Sequence, residues 1–418
     1  MHLLPLHTGT LLMQRIQELA AISESTQGLT RRFATDEHRR ANDLVAHWMA
    51  EAGMSVYEDA IGNVIGRYEG SEPGAPAIML GSHLDTVIMA GKFDGMLGVL
   101  CGLACVEHLA AKKQRLRYAI EVIGFADEEG VRYQTSFLGS RAVTAEFDME
   151  QLDRPDKDGI SMREALLAFG KNPDELASAA RCPEDIAAYL EVHIEQGPVL
   201  EQENLGVGVV NAIAGATRLL ATIRGEAGHA GTVPMSMRHD ALVAAAECIA
   251  GVETLCTGSA DLVGTVGSIR VEPGASNVIP ETVEFTIDIR AAEDARRNEA
   301  VHAVREHMSQ ICARRQLNLT IETIQEETCE VCDAGVMEHI SAAIAQCQPR
   351  VRVLASGAGH DAMVMAHMTA VGLIFVRCAG GISHNPAESI STEDGLLGAE
   401  VMLQSVLNLA GANASVSH

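Results

Sequence analysis

Aromatic residues are scarce in this chain: one Trp, five Tyr and eight Phe amount to 3% of 418 residues. With 47% hydrophobic content and 38 Gly, the interior must be built from small aliphatic side chains, which suits α/β packing with many tight turns. Positive charge is also short, with 31 Lys and Arg against 56 Asp and Glu and a net charge of -25. Phosphate binding needs a clustered basic surface. The densest basic run, Lys112-Lys113-Gln114-Arg115-Leu116-Arg117, falls at an expected helix end, where cations complement the helix dipole. No nucleic-acid partner is therefore expected. No apolar run reaches the length of a bilayer span, and Met1-His2-Leu3-Leu4-Pro5-Leu6 lacks a basic region before its short apolar stretch. The expectation is a cytoplasmic protein without a membrane partner. Ten cysteines are too few for a disulfide framework in a chain of this size. Cys329-Glu330-Val331-Cys332 has the spacing of a redox or zinc pair, but no second pair accompanies it.

What the chain does contain is a set of metal-ligand residue types in five short segments. They are Gly81-Ser82-His83-Leu84-Asp85, Phe93-Asp94-Gly95, Asp127-Glu128-Glu129-Gly130, His193-Ile194-Glu195-Gln196-Gly197 and Ile382-Ser383-His384-Asn385-Pro386. Several follow an apolar run that reads as a buried strand: Ala77-Ile78-Met79-Leu80 before His83, Ala119 to Phe125 before Asp127, and Ala188 to Val192 before His193. In an open parallel sheet, ligands bind beyond the carboxyl ends of the strands, so these loops would converge on one crevice. A lone His or a Glu-Glu pair is usually a satisfied or solvated side chain. Five such segments together are harder to explain that way, and imidazoles and carboxylates in this number would hold two divalent cations with an open position for water.

These segments, with Gly228-His229-Ala230-Gly231-Thr232-Val233-Pro234-Met235, Ser356-Gly357-Ala358-Gly359-His360-Asp361-Ala362 and Gly381 to Glu388, resemble the M20-type dinuclear metallohydrolases. Within that group the pattern is similar to the hydantoinase/carbamoylase amidases, from about Leu29-Thr30-Arg31 to Gly398. The resemblance implies that His83 and His193 bind one metal, that Glu129 and His384 bind the other, and that Asp94 bridges them. The ions would be Zn, Mn, Co or Ni. It implies Glu128 as general base, placed beside the water, and later as proton donor to the leaving nitrogen. Asp85, two residues after His83, would accept the imidazole N–H and fix its tautomer. His229 could donate to the developing oxyanion. Asn277 and Arg290 would clamp a substrate carboxylate, a guanidinium being matched to two-point contact. Gln196 would contact the ureido group, with His360 nearby.

The implied reaction is cleavage of the ureido C–N bond of N-carbamoyl-L-amino acids to amino acid, ammonia and carbon dioxide, with allantoate and N-carbamoyl-β-alanine left open as substrates. A peptidase or aminoacylase of the wider superfamily is disfavoured by His193 and Gln196. A binding protein on an inactive scaffold is disfavoured by the intact Glu128 and ligand set.

At 418 residues the chain exceeds one ordinary core, so two domains are expected. Helical patterns occupy about 37 to 53, 95 to 113, 238 to 256, 293 to 316, 333 to 347 and 393 to 410. Between about 212 and 328, Leu219 to Arg224, Val263 to Val271 and Val283 to Arg290 read as strands alternating with two long helices. The expectation is an α/β catalytic domain with a mostly parallel sheet, formed by residues 1–211 and 329–418. Residues 212–328 form an inserted α+β domain, for which the resemblance implies a lid and a homodimer contact. Residues 411–418 read as a frayed tail.

Overall fold

The computed structural model describes residues 3–258 and 262–411, so the tail expected beyond Gly411 lies outside the described residues. The described chain forms two compact units. One contains the residues up to Asn211, Val331–Leu354 and those from His360 onward; the other contains Ala212–Glu330 and Ala355–Gly359.

The first unit is built on a nine-stranded sheet. In chain order its strands are β1 (Ser55–Glu58), β2 (Val64–Tyr68), β3 (Ala77–His83), β4 (Ala119–Phe125), β5 (Ile186–Ile194), β6 (Val207–Ile213), β14 (Glu330–Val331), β15 (Val353–Ser356) and β16 (Val371–Val376). The central neighbours β4, β3, β5 and β16 are parallel, whereas β2 joins β4, and β6 joins β16, in antiparallel fashion. Every residue of β3, β4 and β16 is buried, as expected for parallel strands covered on both faces, and this explains their largely apolar sequences, with Glu121 in β4 and the terminal Ser82 and His83 of β3 as the polar exceptions.

The Met96–Ala111 helix is buried on nearly every side and shows no polar stripe. Gly98 lets it approach the sheet, because a Cβ there would overlap the Val192 carbonyl oxygen. It shares one core with the Leu6–Ala20, Ala334–Ile344 and Thr392–Leu409 helices. The Asp36–Glu51 helix is capped by the Thr35 side chain, which accepts from His38 N, and carries Asp36 and Glu37 in its first turn. The Leu6–Ala20 helix is not anticipated by the sequence reading. Pro5 precedes it without a side-chain cap and its first turn has no acidic residue, so the usual start signals are missing.

The second unit contains β7 (Gly215–Arg224), β8 (Gly228–His229), β9 (Leu262–Thr265), β10 (Ile269–Glu272), β11 (Val278–Ile279), β12 (Thr282–Ala291) and β13 (Asn318–Glu327). Five of them form an antiparallel sheet ordered β10-β12-β7-β13, with β9 also on β12. Burial alternates along β12, so one face packs on the Ala241–Cys256 and Asp294–Arg314 helices. The single strand expected over 263–271 is two strands, both antiparallel to β12. Between them Thr286 Oγ1 takes the Ser268 N–H and lies 3.1 Å from the Ser268 hydroxyl. The helix expected from 238 begins at Ala241 because the Asp240 side chain accepts from Leu242 N and Val243 N. Residues 355–359, expected in the second part of the catalytic domain, lie in this unit: Ala214 N donates to Ser356 O at 2.8 Å, and Arg290 Nη1 to Gly357 O at 2.7 Å.

No described helix is long and apolar enough to cross a membrane. All ten cysteines, Cys329 and Cys332 included, are free.

Candidate functional site

Four adjacent parallel strands deliver the functional residues at their carboxyl ends. His83 is the last residue of β3, and His193 is the penultimate residue of β5. Asp127, Glu128 and Glu129 follow β4, and the segment carrying His384 follows β16. Asp94 precedes Gly95, the residue from which the Met96–Ala111 helix starts with φ of 71°. A side chain at Gly95 would run into the His83 ring, so the position is confined to glycine by both conformation and space. Gln196 and His384 also adopt left-handed backbone, at φ of 56° and 52°. Such conformations in non-glycine residues cost about 1 kcal/mol or more and concentrate at functional sites.

The Asp94 carboxylate lies at the centre. Its Oδ1 is 3.3 Å from His83 Nε2 and 3.1 Å from His193 Nε2, and its Oδ2 is 3.3 Å from His384 Nε2. His384 Nε2 is in turn 3.6 Å from Glu129 Oε1, a buried oxygen with no hydrogen-bond partner among the described residues. Three groups bring metal-binding atoms within 4.8 Å of one another: His83, Asp94 and His193; His83, Glu128 and Glu129; and Asp94, Glu129 and His384. His83 Nδ1 lies 3.0 Å from the Asp85 main-chain oxygen, and His193 Nδ1 lies 3.0 Å from the Ile194 oxygen. Both rings therefore donate from Nδ1 to a main-chain oxygen and direct Nε2 at Asp94, so a metal ion that displaced the Nε2 proton would find that nitrogen already oriented as a ligand. One lone pair cannot serve two groups, so the first and third sets remain as compatible partners, sharing only Asp94 with one oxygen facing each. Imidazole and carboxylate donors of this kind suit Zn, Mn, Co or Ni.

Asp85 faces His83 Nδ1 with both its main-chain oxygen and its carboxylate. Its carboxylate is 3.4 Å from His83 Nδ1, farther than its own main-chain oxygen, and also accepts from Glu128 N at 2.9 Å and Glu129 N at 3.2 Å. It thus orients the turn that presents both glutamates. Burial, reinforced by Glu129, Asp361 and Asp85 and opposed by His83, lifts the Glu128 carboxyl well above the usual carboxylate range. Burial and Asp94 raise Glu129 to about 7. Asp94 is held well below the ordinary range, because His193, His384 and His83 outweigh its burial. Cationic charge at the ligand sets would draw both glutamates down.

Gln196 Nε2 donates to Asp94 Oδ2 at 2.9 Å and to Ser383 Oγ at 3.0 Å, while its buried Oε1 has no partner among the described residues. The His360 ring packs edge-on against His193 at 4.5 Å and against Phe375 at 5.9 Å, and burial together with His193 holds it neutral. The other expected residues belong to the second unit. His229 pairs with Val278 on the β8–β11 ribbon, and beside it Ala230 N donates to Asn277 O at 2.9 Å. His229 Nδ1 accepts from Gly231 N, so the neutral ring keeps its proton on Nε2 as a donor at an exposed position.

Arg290 donates from Nε and Nη2 to Asp288 and from Nη1 to Gly357 O. It borders a cavity of about 550 Å³ on the exposed sheet face, also lined by Arg218, Thr286 and Ile324. Sequence reasoning gave no role to Ser383 or Glu388, although both stand in the quoted Gly381–Glu388 segment.

The chain is similar to known proteins over nearly its whole length. The model of peptidase family M20/M25/M40 matches residues 79–408, and the chain belongs to that family. The chain is 43% identical over 403 residues to an N-carbamoyl-L-amino acid amidohydrolase of Geobacillus stearothermophilus, covering 96% of this chain and 98% of the relative. It is 41% identical to allantoate deiminase 1 of Glycine max, covering 91% and 85%. A solved amidase of the hydantoinase/carbamoylase family from Burkholderia multivorans superposes with a TM-score of 0.91 at 33% identity, over 97% of this chain and 98% of that one. Within the M20 family the chain is a hydantoinase/carbamoylase-type amidase, a hydrolase of linear amide C–N bonds.

Proposed function

We propose that the chain hydrolyses the ureido C–N bond of N-carbamoyl-L-amino acids, releasing amino acid, ammonia and carbon dioxide, at a centre for two divalent ions. The carrying observation is the division of Asp94, with Oδ1 beside His83 and His193 and Oδ2 beside His384. His83, Asp94 and His193 would hold one ion, and Asp94, Glu129 and His384 the other. When bound, such ions act as Lewis acids that acidify water and polarise a carbonyl. Glu128 takes the proton of the attacking water and returns it to the leaving nitrogen, a role suited to a buried carboxyl with raised proton affinity. The unpartnered Gln196 Oε1 is an acceptor, matched to the N–H donors of a ureido group.

His229 Nε2 would donate to the developing oxyanion. Arg290, with Asn277, would hold the substrate carboxylate. Three of the five guanidinium N–H groups are used by Asp288 and Gly357, which leaves one hydrogen on each Nη for an end-on carboxylate. A homodimer joined through the inserted unit, working in the cytoplasm, belongs to the same reading.

Allantoate is a second reading, favoured by the 41% identity to the Glycine max allantoate deiminase. A hydrolysis panel separates them: N-carbamoyl-L- and D-amino acids, N-carbamoyl-β-alanine, allantoate, N-acetyl amino acids and dipeptides, each with Zn, Mn, Co and Ni. The proposal expects the N-carbamoyl-L-amino acids to have the highest kcat/KM. A preference for N-acetyl or dipeptide substrates would overturn it.

A further inference from the structure

We propose that Glu388 is a positioning residue for the bridging carboxylate, holding Asp94 so that each of its oxygens faces one ligand set; this rests on the two-ion reading. Glu388 is 3% exposed, four residues beyond His384. Its Oε1 accepts from the main-chain N–H groups of Phe93 at 2.7 Å and Asp94 at 3.1 Å, across 295 and 294 residues of sequence. Its Oε2 is 3.2 Å from Ser383 Oγ, which lies 2.9 Å from Asp94 Oδ2. Ser383 also accepts from Gln196 Nε2, so its single hydrogen is left to serve the two carboxylates. One buried side chain therefore fixes the backbone of Asp94 and stands against Ser383, whose shorter contact is with the Asp94 oxygen that faces His384.

The opposite wall is shaped to receive it. A Cβ at Gly91 would overlap the Glu388 carboxylate, although φ at Gly91 is not in the left-handed region. The space, and not the backbone conformation, is what restricts this position. Both Glu388 oxygens are occupied by protein groups, so the residue acts on the chemistry through Asp94. A bridging carboxylate that turned about its side-chain bonds would offer both oxygens to one ion, and partners behind a ligand prevent that rotation.

The test is a titration of the metal-free full-length chain with Mn²⁺ or Zn²⁺ in competition with a chromophoric chelator, reading stoichiometry and both dissociation constants. Wild type should take up two ions. Glu388→Ala should bind both about 10- to 100-fold more weakly, the usual effect of losing a partner behind a ligand. Gly91→Ala, which keeps the Glu388 side chain but pushes its carboxylate out of position, should do the same. Glu388→Gln keeps an oxygen acceptor for Phe93 N and Asp94 N and should stay within about threefold of wild type. Wild-type constants in Glu388→Ala, or in Gly91→Ala if the first variant does not fold, would overturn the proposal. A loss confined to one ion, or a Glu388→Gln protein as weak as Glu388→Ala, would overturn it as well. Failure of the wild type itself to bind ions would count against the two-ion reading instead.

Discussion

Two side chains separate catalysis from recognition. Glu128→Gln keeps the shape and main-chain contacts of the residue, since Asp85 holds its N–H and not its carboxylate. It removes the only proton acceptor the proposed step has, and a general base contributes about 10²- to 10⁴-fold to rate. Turnover should fall by that order while metal content stays at the wild-type level; a drop of less than about tenfold would place the base elsewhere. Arg290 is tested by comparing acids with amides. Its removal leaves Asp288 still paired with Arg218 at 3.0 Å, so the sheet should survive Arg290→Ala. A charge-assisted hydrogen bond contributes about 1.5 to 3 kcal/mol, or roughly 10- to 150-fold in kcat/KM. That loss should appear with N-carbamoyl amino acids and largely vanish with the matching amides, and Arg290→Lys should also lose the fork geometry. Equal losses on acids and amides would make Arg290 a structural residue.

The elements that present the site depend on close approach between helix and sheet. Gly98→Ala would force the Met96–Ala111 helix away from the Val192 carbonyl, whereas Gly102→Ala meets side chains alone, Leu80 Cβ at 3.1 Å and Val122 Cγ1 at 3.4 Å. Overpacking of this kind costs about 1 to 3 kcal/mol, so urea midpoints should fall more for Gly98→Ala than for Gly102→Ala. The reverse order would contradict the packing described. His38, on the Asp36–Glu51 helix, adds a pH dependence. Burial lowers its pKa from 6.5 to about 4, and its ring stacks on Phe169 at 5.0 Å. Between those values the unfolded chain binds more protons, so stability is lost as pH falls from 6.5 towards 4, by about 3 kcal/mol in all. Unfolding of wild type and His38→Gln at about pH 7 and about pH 4.5 checks this, wild type losing more over the interval. Parallel losses would contradict it.

The sequence made β3, β4 and β5 legible because each apolar run ends in a residue type suited to metal binding. β16 was not read, although Val371–Val376 is entirely apolar, because a short run alone does not distinguish strand from buried helix. Ligand identities could be read from residue chemistry. The use of Asp85 through its main-chain oxygen and the seating of Glu388 could not, since both depend on which atoms meet in space.

For the whole molecule, a dimer joined through the inserted unit is expected, where Val263, Ile269 and Ile324 are exposed apolar side chains. Sedimentation should give about twice the 44.4 kDa chain mass, and a fully active monomer at assay concentration would contradict a functional dimer. At the heart of the proposed activity is one carboxylate, Asp94, joining two ions into a single hydrolytic centre. The most direct measurement adds Mn²⁺, Co²⁺ or Zn²⁺ stepwise to metal-free enzyme and follows ammonia release from an N-carbamoyl-L-amino acid against bound ions per chain, for wild type and Asp94→Ala. The prediction is activity rising to a plateau at two ions in wild type, with both ions weakened and no turnover in Asp94→Ala. Full ammonia release from metal-free protein, or an active Asp94→Ala enzyme, would contradict it.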